Sequence, residues 1–269
     1  MLPTLLNIQE LADRLFPFNY SESWDNSGIQ IGDFSKTITA ITFSLNASVE
    51  AISFAAENQC ELLITHHPVL LNPVKKILAS EPTGKVFLEA AKANVDVMSL
   101  HTNFDAAKGG LNDFLSGALS LSDVQIPVNA PCARLGMLPE PQKVSALAKL
   151  LCQKLNLDSV RIVGSPQQIV KSIFLVSGSG MGYLDEAILA SADIMITGDI
   201  RYHGAIDSQF YQIPLIDAGH FGLEKFAIKL MRDTFETEFS KLNWNIKLHM
   251  FKGEEDPFKI YAVKDEEES

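Results

Sequence analysis

Apolar positions along the first hundred residues alternate between two periodicities. Short β-branched and apolar runs predict strands, over residues 38–45, 61–65 and 95–100. Apolar residues at helical spacing predict helices, over residues 7–16, 49–58 and 84–94. Asn7, which precedes Glu10 by three residues, is the predicted N-cap of the first helix. Strands that alternate with helices predict a mainly parallel sheet covered by helices.

The second half of the chain returns to this alternation after a turn-rich stretch at residues 121–131. Strands are predicted over residues 132–138, 159–163, 169–176, 193–197 and 213–217. Helices are predicted over residues 143–155, 184–191, 204–210 and 223–237. Because no glycine- or serine-rich linker separates the halves, we expect an α/β fold of two packed lobes with mainly parallel sheets. The first lobe is expected over residues 1–125 and the second over residues 126–269, and the two can interleave.

The formal net charge of −11 is unevenly distributed along the chain. Residues 253–269 hold seven acidic residues and two lysines, which together contribute −5. The closing Asp265-Glu266-Glu267-Glu268 is predicted to be a solvated tail. Binding to a nucleic-acid backbone requires clustered lysine and arginine, and this acidic sequence has no such cluster. Direct nucleic-acid binding is therefore not expected.

Cysteine spacing and hydropathy indicate the compartment. Cys60, Cys132 and Cys152 are odd in number and far apart, which is typical of reduced thiols in a cytosolic protein. No apolar run approaches the ~20 residues that a membrane-spanning helix needs. The N-terminal residues have no basic region of the kind that begins a signal peptide. The sequence therefore predicts a cytoplasmic protein that does not enter a membrane.

Histidines are concentrated where apolar runs give way to loops. Five of the six histidines occupy such positions, namely His66, His67, His101, His203 and His220. Three of them lie four residues from a carboxylate, in the pairs His101–Asp105, Asp199–His203 and His220–Glu224. Imidazole and carboxylate ligands without a thiol favour zinc, iron, manganese or cobalt. Because ligands bind at the carboxyl ends of parallel strands, we expect a metal site in the crevice between the lobes.

The order of these side chains indicates how such a site is built. His66 and His67 are consecutive, so in an extended chain they point to opposite sides and two neighbouring metals can each take one. The alternative is a histidine-rich turn. Glu224 is predicted in the first turn of the helix after His220, where its carboxylate can bridge two cations. Residues 24–28 either lie over this site or form a structured loop.

Three further features allow two roles each. Asp105 is either a metal ligand beside His101 or an ordinary helix cap. Asp199 is predicted to orient the imidazole of His203, and His203 can equally carry protons itself. The glycine-rich residues 177–182 can hold a phosphate, but they lack a P-loop lysine and dinucleotide spacing, so a tight turn is favoured.

Five separated motifs carry a family resemblance. They are Trp24-Asp25-Asn26-Ser27-Gly28, Thr65-His66-His67-Pro68, His101-Thr102-Asn103-Phe104-Asp105, Gly198-Asp199-Ile200-Arg201-Tyr202-His203 and Asp217-Ala218-Gly219-His220-Phe221-Gly222-Leu223-Glu224. In this order they resemble the Nif-three-like family, whose members are commonly named GTP cyclohydrolase 1 type 2 homologues. The resemblance implies a toroidal homohexamer and a dinuclear site for two divalent metal ions, with Glu224 bridging. The ligands it implies are His66, His67, Asp105, His220 and Glu224.

The same resemblance implies a metal-dependent hydrolase that opens the imidazole ring of a purine nucleotide such as GTP. His101 or His203 would carry the proton. Lys108, Arg134 and Arg201 are the candidate cations for the triphosphate, and the sequence does not assign the role to any of them. Two alternatives stay open: a two-metal phosphoesterase, and a metal-binding regulatory or interaction protein without catalysis. Open coordination positions would favour an enzyme, whereas a closed shell would favour a structural role.

One position departs from the family's pattern. Asn46 follows the strand predicted over residues 38–45, where many members carry an aspartate. An amide in place of a carboxylate weakens any role for a negative charge there. The departure does not touch the five implied ligands.

Overall fold

The computed structural model describes residues 2–261, which form two β-sheets and the helices around them. The α/β prediction is therefore confirmed. The acidic tail predicted at residues 265–268 lies outside the described residues. Within residues 2–261, every helix is too short or too polar to cross a bilayer.

The element bounds are as follows in chain order. The strands are β1 (Gly28–Ile31), β2 (Ala40–Ser44), β3 (Leu62–Thr65), β4 (Asp96–Ser99), β5 (Ser122–Gln125), β6 (Arg134–Lys143), β7 (Arg161–Val163), β8 (Ile169–Leu175), β9 (Ile194–Thr197), β10 (Leu215–Asp217) and β11 (Lys247–Met250). The α-helices are α1 (Leu5–Leu15), α2 (Val49–Glu57), α3 (Pro82–Ala93), α4 (Thr102–Ala106), α5 (Leu111–Ala118), α6 (Val144–Leu155), α7 (Leu184–Leu189), α8 (Tyr202–Phe210), α9 (His220–Glu224) and α10 (Ala227–Leu242).

The first sheet has the strand order β1-β4-β3-β2-β11. Strands β11, β2, β3 and β4 are parallel, and β1 pairs antiparallel with β4 at the edge. The carboxyl ends of β2, β3 and β4 therefore lie side by side at one end of the sheet. Asn46, His66 and His101 follow these strand ends. For this sheet the prediction of mainly parallel strands is confirmed.

The second sheet has the order β5-β6-β8-β9-β10-β7, and here the mainly parallel prediction is wrong. Only β8, β9 and β10 are mutually parallel, while β5–β6, β6–β8 and β7–β10 are antiparallel. Residues 126–133, which join β5 to β6, are fewer than the roughly dozen that a parallel crossover needs. The stretch predicted as turns thus contains a strand, and its short connection imposes an antiparallel pair.

Strand β11 comes from the C-terminal part of the chain but completes the first sheet beside β2. The first sheet is therefore built from both ends of the described chain, while β5 already belongs to the second sheet. The division of the chain into lobes at residue 125 stays a prediction.

The start of the first helix differs from the prediction. Thr4 is the N-cap, since its hydroxyl accepts from the Asn7 N–H at 3.4 Å and its own N–H donates to Asn7 Oδ1 at 3.0 Å. Asn7 is thus the N3 residue of a capping box, the third residue of the helix, rather than the N-cap. The sequence rule gave the wrong N-cap because asparagine can occupy either the N-cap or the N3 position.

One hydrophobic core contains residues of both sheets. Phe43 and Ile64 of the first sheet belong to the same buried cluster as Ile173 and Ile196 of the second. Helix α10 packs against this cluster, with the ring of Phe235 5.8 Å from that of Phe43. Because the sheets share a core, the polar strand ends of one lie close to those of the other.

Candidate metal centre

The side chains of the candidate site come from the loops and short helices that follow parallel strands. His66 and His67 follow β3, and their backbone N–H groups donate to Ser44 and Leu45 of the neighbouring strand end at 3.2 and 2.8 Å. His101 follows β4. Both sheets contribute, since β10 of the second sheet leads into α9.

Helix α9 corrects a sequence expectation. The helix predicted over residues 223–237 is divided into α9 and α10, and α9 begins at His220 itself. His220 and Glu224 therefore share one helical turn, with His220 Nε2 2.8 Å from Glu224 Oε2. The four-residue spacing brings the two together as expected, but within one short helix rather than across its start.

The carboxylate of Glu224 lies between two groups of side chains. Its Oε2 is 2.8 Å from Nε2 of His67 and 2.8 Å from Nε2 of His220, and these two nitrogens are 3.2 Å apart. Its Oε1 is 3.7 Å from Nε2 of His66, which is 3.8 Å from Asp105 Oδ1. His101 joins His66 and His67 in a second close group of ligand atoms. All five residues implied as ligands are thus neighbours.

Each of the four histidines presents its Nδ1 to an oxygen that accepts hydrogen bonds. These contacts are His66–Leu100 O at 2.9 Å, His67–Asn46 Oδ1 at 2.8 Å, His101–Asp25 Oδ1 at 2.7 Å and His220–Asp199 Oδ2 at 2.8 Å. An oxygen acceptor fixes the hydrogen on Nδ1, so in the neutral imidazole Nε2 keeps its lone pair. Metal-binding histidines are oriented in this way, with carboxylates and backbone carbonyls as the usual partners.

Buried polar atoms at the centre of the cluster lack hydrogen-bond partners in the part of the chain that the structure describes. Within residues 2–261, Nε2 of His66 and Oε2 of Glu224 are buried and have no hydrogen-bond partner. When the imidazoles of His67 and His220 are neutral, the lone pairs of their Nε2 atoms face Glu224 Oε2 at 2.8 Å, so each contact then joins two acceptors. Only positive charge relieves such contacts, supplied by protons or by a metal cation. The residues present therefore fit a metal.

The pKa directions reflect the same demand for positive charge. Burial lowers the pKa of His66, but the carboxylates of Asp105 and Glu224 outweigh it and raise that pKa to about 9. Burial also opposes protonation of His220, yet Glu224 and Asp199 raise its pKa to about 9. For His67 burial prevails and its pKa is lowered. Protons would therefore compete with a metal ion for the Nε2 atoms of these histidines.

Asp25 has a role that the sequence analysis did not assign, although residues 24–28 were one of its candidates for a loop over the site. Its carboxylate accepts from His101 Nδ1, from the Thr102 N–H at 3.1 Å and from the Ser27 hydroxyl at 2.9 Å. Burial alone would raise the pKa of Asp25, but the hydrogen bonds from His101 and Thr102 lower it below the usual range. The loop of residues 24–28 therefore orients His101. No local signal marked this role, because the two residues are 76 positions apart.

The predicted pair of Asp199 and His203 is wrong. Asp199 has a left-handed backbone, φ 54°, in the turn before α8, and its carboxylate accepts from His220 Nδ1. Four-residue spacing brings side chains together only inside a helix, and α8 begins at Tyr202. His203 is exposed and belongs to neither group of ligand atoms found in the described chain.

Of the three cations considered for a triphosphate, Arg134 is excluded. Its side chain is fully buried and its guanidinium donates to Asp113 Oδ1 at 2.5 Å. Its remaining N–H groups donate to the carbonyls of Ala106, Ala107, Pro131 and Ala133. A guanidinium with all these partners holds the chain around α4 and has no donor left for a ligand. Lys108 and Arg201 are exposed.

The glycine-rich stretch forms a tight turn whose first glycine touches the candidate site. Gly178 has φ +60°, and a Cβ there would lie 2.3 Å from Glu224 Oε1. Beside it, the Ser177 hydroxyl donates to Asp105 Oδ1 at 3.1 Å. This turn therefore contacts both carboxylates of the cluster, and its first glycine leaves room for one of them.

We expect Gly178→Ala to lower the metal content and to reduce the free energy of unfolding by about 1–2 kcal/mol, the cost of a left-handed alanine. The new methyl group displaces the Glu224 carboxylate. Gly182→Ala is the matched control, because a Cβ at Gly182 meets nothing within 4 Å. Elemental analysis and urea denaturation check both variants, and an equal metal content in the two would contradict the close approach of Gly178 to Glu224.

Comparison with known proteins gives a consistent assignment. Residues 3–257 match the sequence profile of the Duf34/NIF3 (NGG1p interacting factor 3) family. The GTP cyclohydrolase 1 type 2 homolog of Clostridium perfringens is 31% identical, over 95% of this chain and 99% of that protein. The GTP cyclohydrolase 1 type 2 of Helicobacter pylori is 34% identical over 81% of this chain and 86% of that protein.

Among solved structures, the Bacillus cereus protein related to NIF3 has the same fold, with a TM-score of 0.89 at 20% identity. The match covers 97% of this chain and all of that one. The likeness thus extends over both sheets and is not confined to the histidine motifs. The chain belongs to the Duf34/NIF3 (NGG1p interacting factor 3) family.

Proposed function

We propose that this protein holds two divalent metal ions and uses them to hydrolyse a small-molecule substrate. The observation that carries the proposal is the convergence of Nε2 lone pairs on the buried Glu224 carboxylate, with every Nδ1 tied to an acceptor. A site with this arrangement is prepared for cations before they bind. The proposed ligands are His66, His67, Asp105, His220 and Glu224.

The two oxygens of Glu224 divide the ligands into two sets. His66 and Asp105 lie on the side of Oε1, and His67 and His220 lie on the side of Oε2. Each set would hold one ion, and the Glu224 carboxylate would contribute a ligand to both. Imidazole and carboxylate donors suit zinc, iron, manganese or cobalt. Metal ions at such a centre supply Lewis acidity, which lowers the pKa of water towards neutrality.

His101 is the proposed proton carrier. Its Nδ1 is held by Asp25, and its ring lies 5.2 and 5.6 Å from the rings of His66 and His67. The Asp25 carboxylate stabilises the imidazolium that forms when His101 takes a proton, and it keeps the ring in place. His203 lacks a comparable partner among the described contacts, and its role as proton shuttle stays a prediction.

The proposed substrate is a purine nucleotide, with GTP as the first candidate. The support comes from relatives named GTP cyclohydrolase 1 type 2 and their homologs. The reaction would open the imidazole ring by addition of water. The test is reconstitution with each metal followed by incubation with a nucleotide panel, read by mass spectrometry. Loss of a nucleotide together with a new product heavier by the mass of one water supports the proposal. A panel of unchanged nucleotides after incubation with metal-replete protein contradicts it.

A non-catalytic metal-binding protein and a two-metal phosphoesterase remain the alternatives, and the same experiment separates them. Simple phosphodiesters belong in the panel for this reason. Their cleavage with an unchanged nucleotide pool would favour the phosphoesterase. Full metal content without any turnover would favour the regulatory or interaction protein.

We expect His101→Ala to lower turnover by about 10²-fold, the lower end of the range for general acid–base assistance. The His101 ring is only half-buried, so water can reach its position and take over part of the proton transfer. His203→Ala tests the second predicted proton shuttle in the same assay, since its imidazole is exposed and outside the cluster. Steady-state rates at matched metal content check this. Equal rates for His101→Ala and the wild type would remove His101 from the mechanism.

We also propose the toroidal homohexamer that the family resemblance implies. Exposed apolar side chains on and near α8 suit burial against another copy, with Tyr202 75% and Phe210 79% exposed. Light scattering at micromolar concentration is expected to give six times the protomer mass. A monomer or dimer would contradict the hexamer without touching the metal site.

A further inference from the structure

Glu254 follows β11 and reaches back to the end of β2, where its carboxylate accepts three hydrogen bonds. Its Oε2 accepts from the Leu45 N–H at 2.7 Å, and its Oε1 accepts from the Asn46 N–H at 2.7 Å. Oε1 also accepts from the side-chain amide of Asn46, with Nδ2 at 2.9 Å. A residue 208 positions along the chain therefore holds both the backbone and the side chain of Asn46.

This contact determines which way the Asn46 amide faces. Because Nδ2 donates to Glu254, Oδ1 is turned to the opposite side, where it lies 2.8 Å from Nδ1 of His67. An amide oxygen only accepts, so Nδ1 of His67 carries the hydrogen and Nε2 keeps the lone pair. If the amide were reversed, its NH₂ would face Nδ1 and favour the opposite tautomer, in which Nε2 carries hydrogen.

We propose that Glu254 is a positioning residue of the metal centre, which acts through Asn46 to fix His67 in the tautomer whose Nε2 binds metal. The inference rests on the proposed metal-binding function. A carboxylate accepts with both oxygens, so one glutamate satisfies the N–H groups of Leu45 and Asn46 and still holds Nδ2. An Asn46 amide ordered by Glu254 thus does for His67 what the carboxylates of Asp25 and Asp199 do for their histidines.

Glutamine in place of Glu254 is the sharpest change, because it keeps the shape but turns an NH₂ group towards a backbone N–H. We expect Glu254→Gln to weaken zinc binding by about 10-fold, the lower end of the range for residues that orient a ligand. Glu255→Gln is the matched control. It removes the same charge one residue along, from an exposed side chain that pairs with Lys259.

The tautomer itself is measured in the metal-free protein. The ¹⁵N shifts of the His67 ring distinguish hydrogen on Nδ1 from hydrogen on Nε2. Wild type and Glu255→Gln are expected to show the Nδ1–H form, and Glu254→Gln a mixture of the two. An unchanged tautomer in Glu254→Gln would overturn the proposal. If the wild-type protein bound no zinc, the metal-binding function would fail, yet this measurement would still decide the positioning role.

A double-mutant cycle separates positioning from simple support of the backbone. In an Asn46→Ala background the amide link to His67 is gone, so Glu254→Gln should cause no further loss of zinc affinity. If Glu254 only tied down the end of β2, its substitution would weaken zinc binding equally in both backgrounds. Equal losses would therefore overturn the proposal, and a loss confined to the Asn46 background would support it.

Discussion

Glu224→Gln is expected to abolish occupancy of both proposed metal sites, the largest effect of any single substitution at the centre. The carboxylate is buried and its two oxygens serve the two sets of ligands. Removing one partner from a buried set of charges costs about 3–5 kcal/mol, which corresponds to roughly 10²–10⁴ in affinity. Each of the two proposed ions would lose its shared anionic ligand, so the loss of affinity would apply to both.

Two measurements check this expectation. Elemental analysis should find the wild type loaded and the variant empty after the same incubation. Thermal unfolding is the second readout, since a ligand at 1,000 times its Kd stabilises a protein by about 4 kcal/mol. Added metal should raise the Tm of the wild type and leave that of Glu224→Gln unchanged. Glu57→Gln, at an exposed position on α2, is the control. Full loading of Glu224→Gln would refute the bridging role.

The strand ends of this site could be predicted from the sequence because they follow a local rule. The apolar runs before His66, His101 and His220 are strands whose carboxyl ends lie together. The rule did not hold for His203, which lies on α8. His66, His67, His101 and His220 were singled out in this way, and the structure brings them within one cluster. The rule uses only an apolar run and the residue that follows it, so the sequence alone is enough to apply it.

The partners that orient those histidines could not be predicted, since they depend on contacts between distant segments. Asp25 reaches His101, and Asn46 is held by Glu254 from beyond the last strand. Local spacing was misleading for Asp199, because a left-handed backbone turns its side chain to His220 rather than His203. The same limit applies to the sheets, where neither β5 nor β11 was predicted as a strand.

Arg134→Met is expected to lower the free energy of unfolding by about 3–5 kcal/mol, the usual cost of removing one partner of a buried charge pair. Methionine has a similar unbranched stem, so the loss comes from the guanidinium rather than from packing. Asp113 then has no cation at 2.5 Å, and the carbonyls of Ala106 and Ala107 lose their donor. Each buried acceptor left without a partner adds to the cost.

The substitution also tests how the scaffold supports the centre, because Ala106 ends the short helix α4 that carries Asp105. Urea denaturation gives the stability change, and zinc titration at low temperature shows whether the folded variant has lost affinity. Arg232→Met is the control, since its ion pair with Asp233 on the surface of α10 is worth less than about 1 kcal/mol. Similar midpoints for the two variants would mean that water replaces the buried guanidinium. A destabilised variant with unchanged zinc affinity would show that Asp105 is held by Ser177 and not by the Arg134 network.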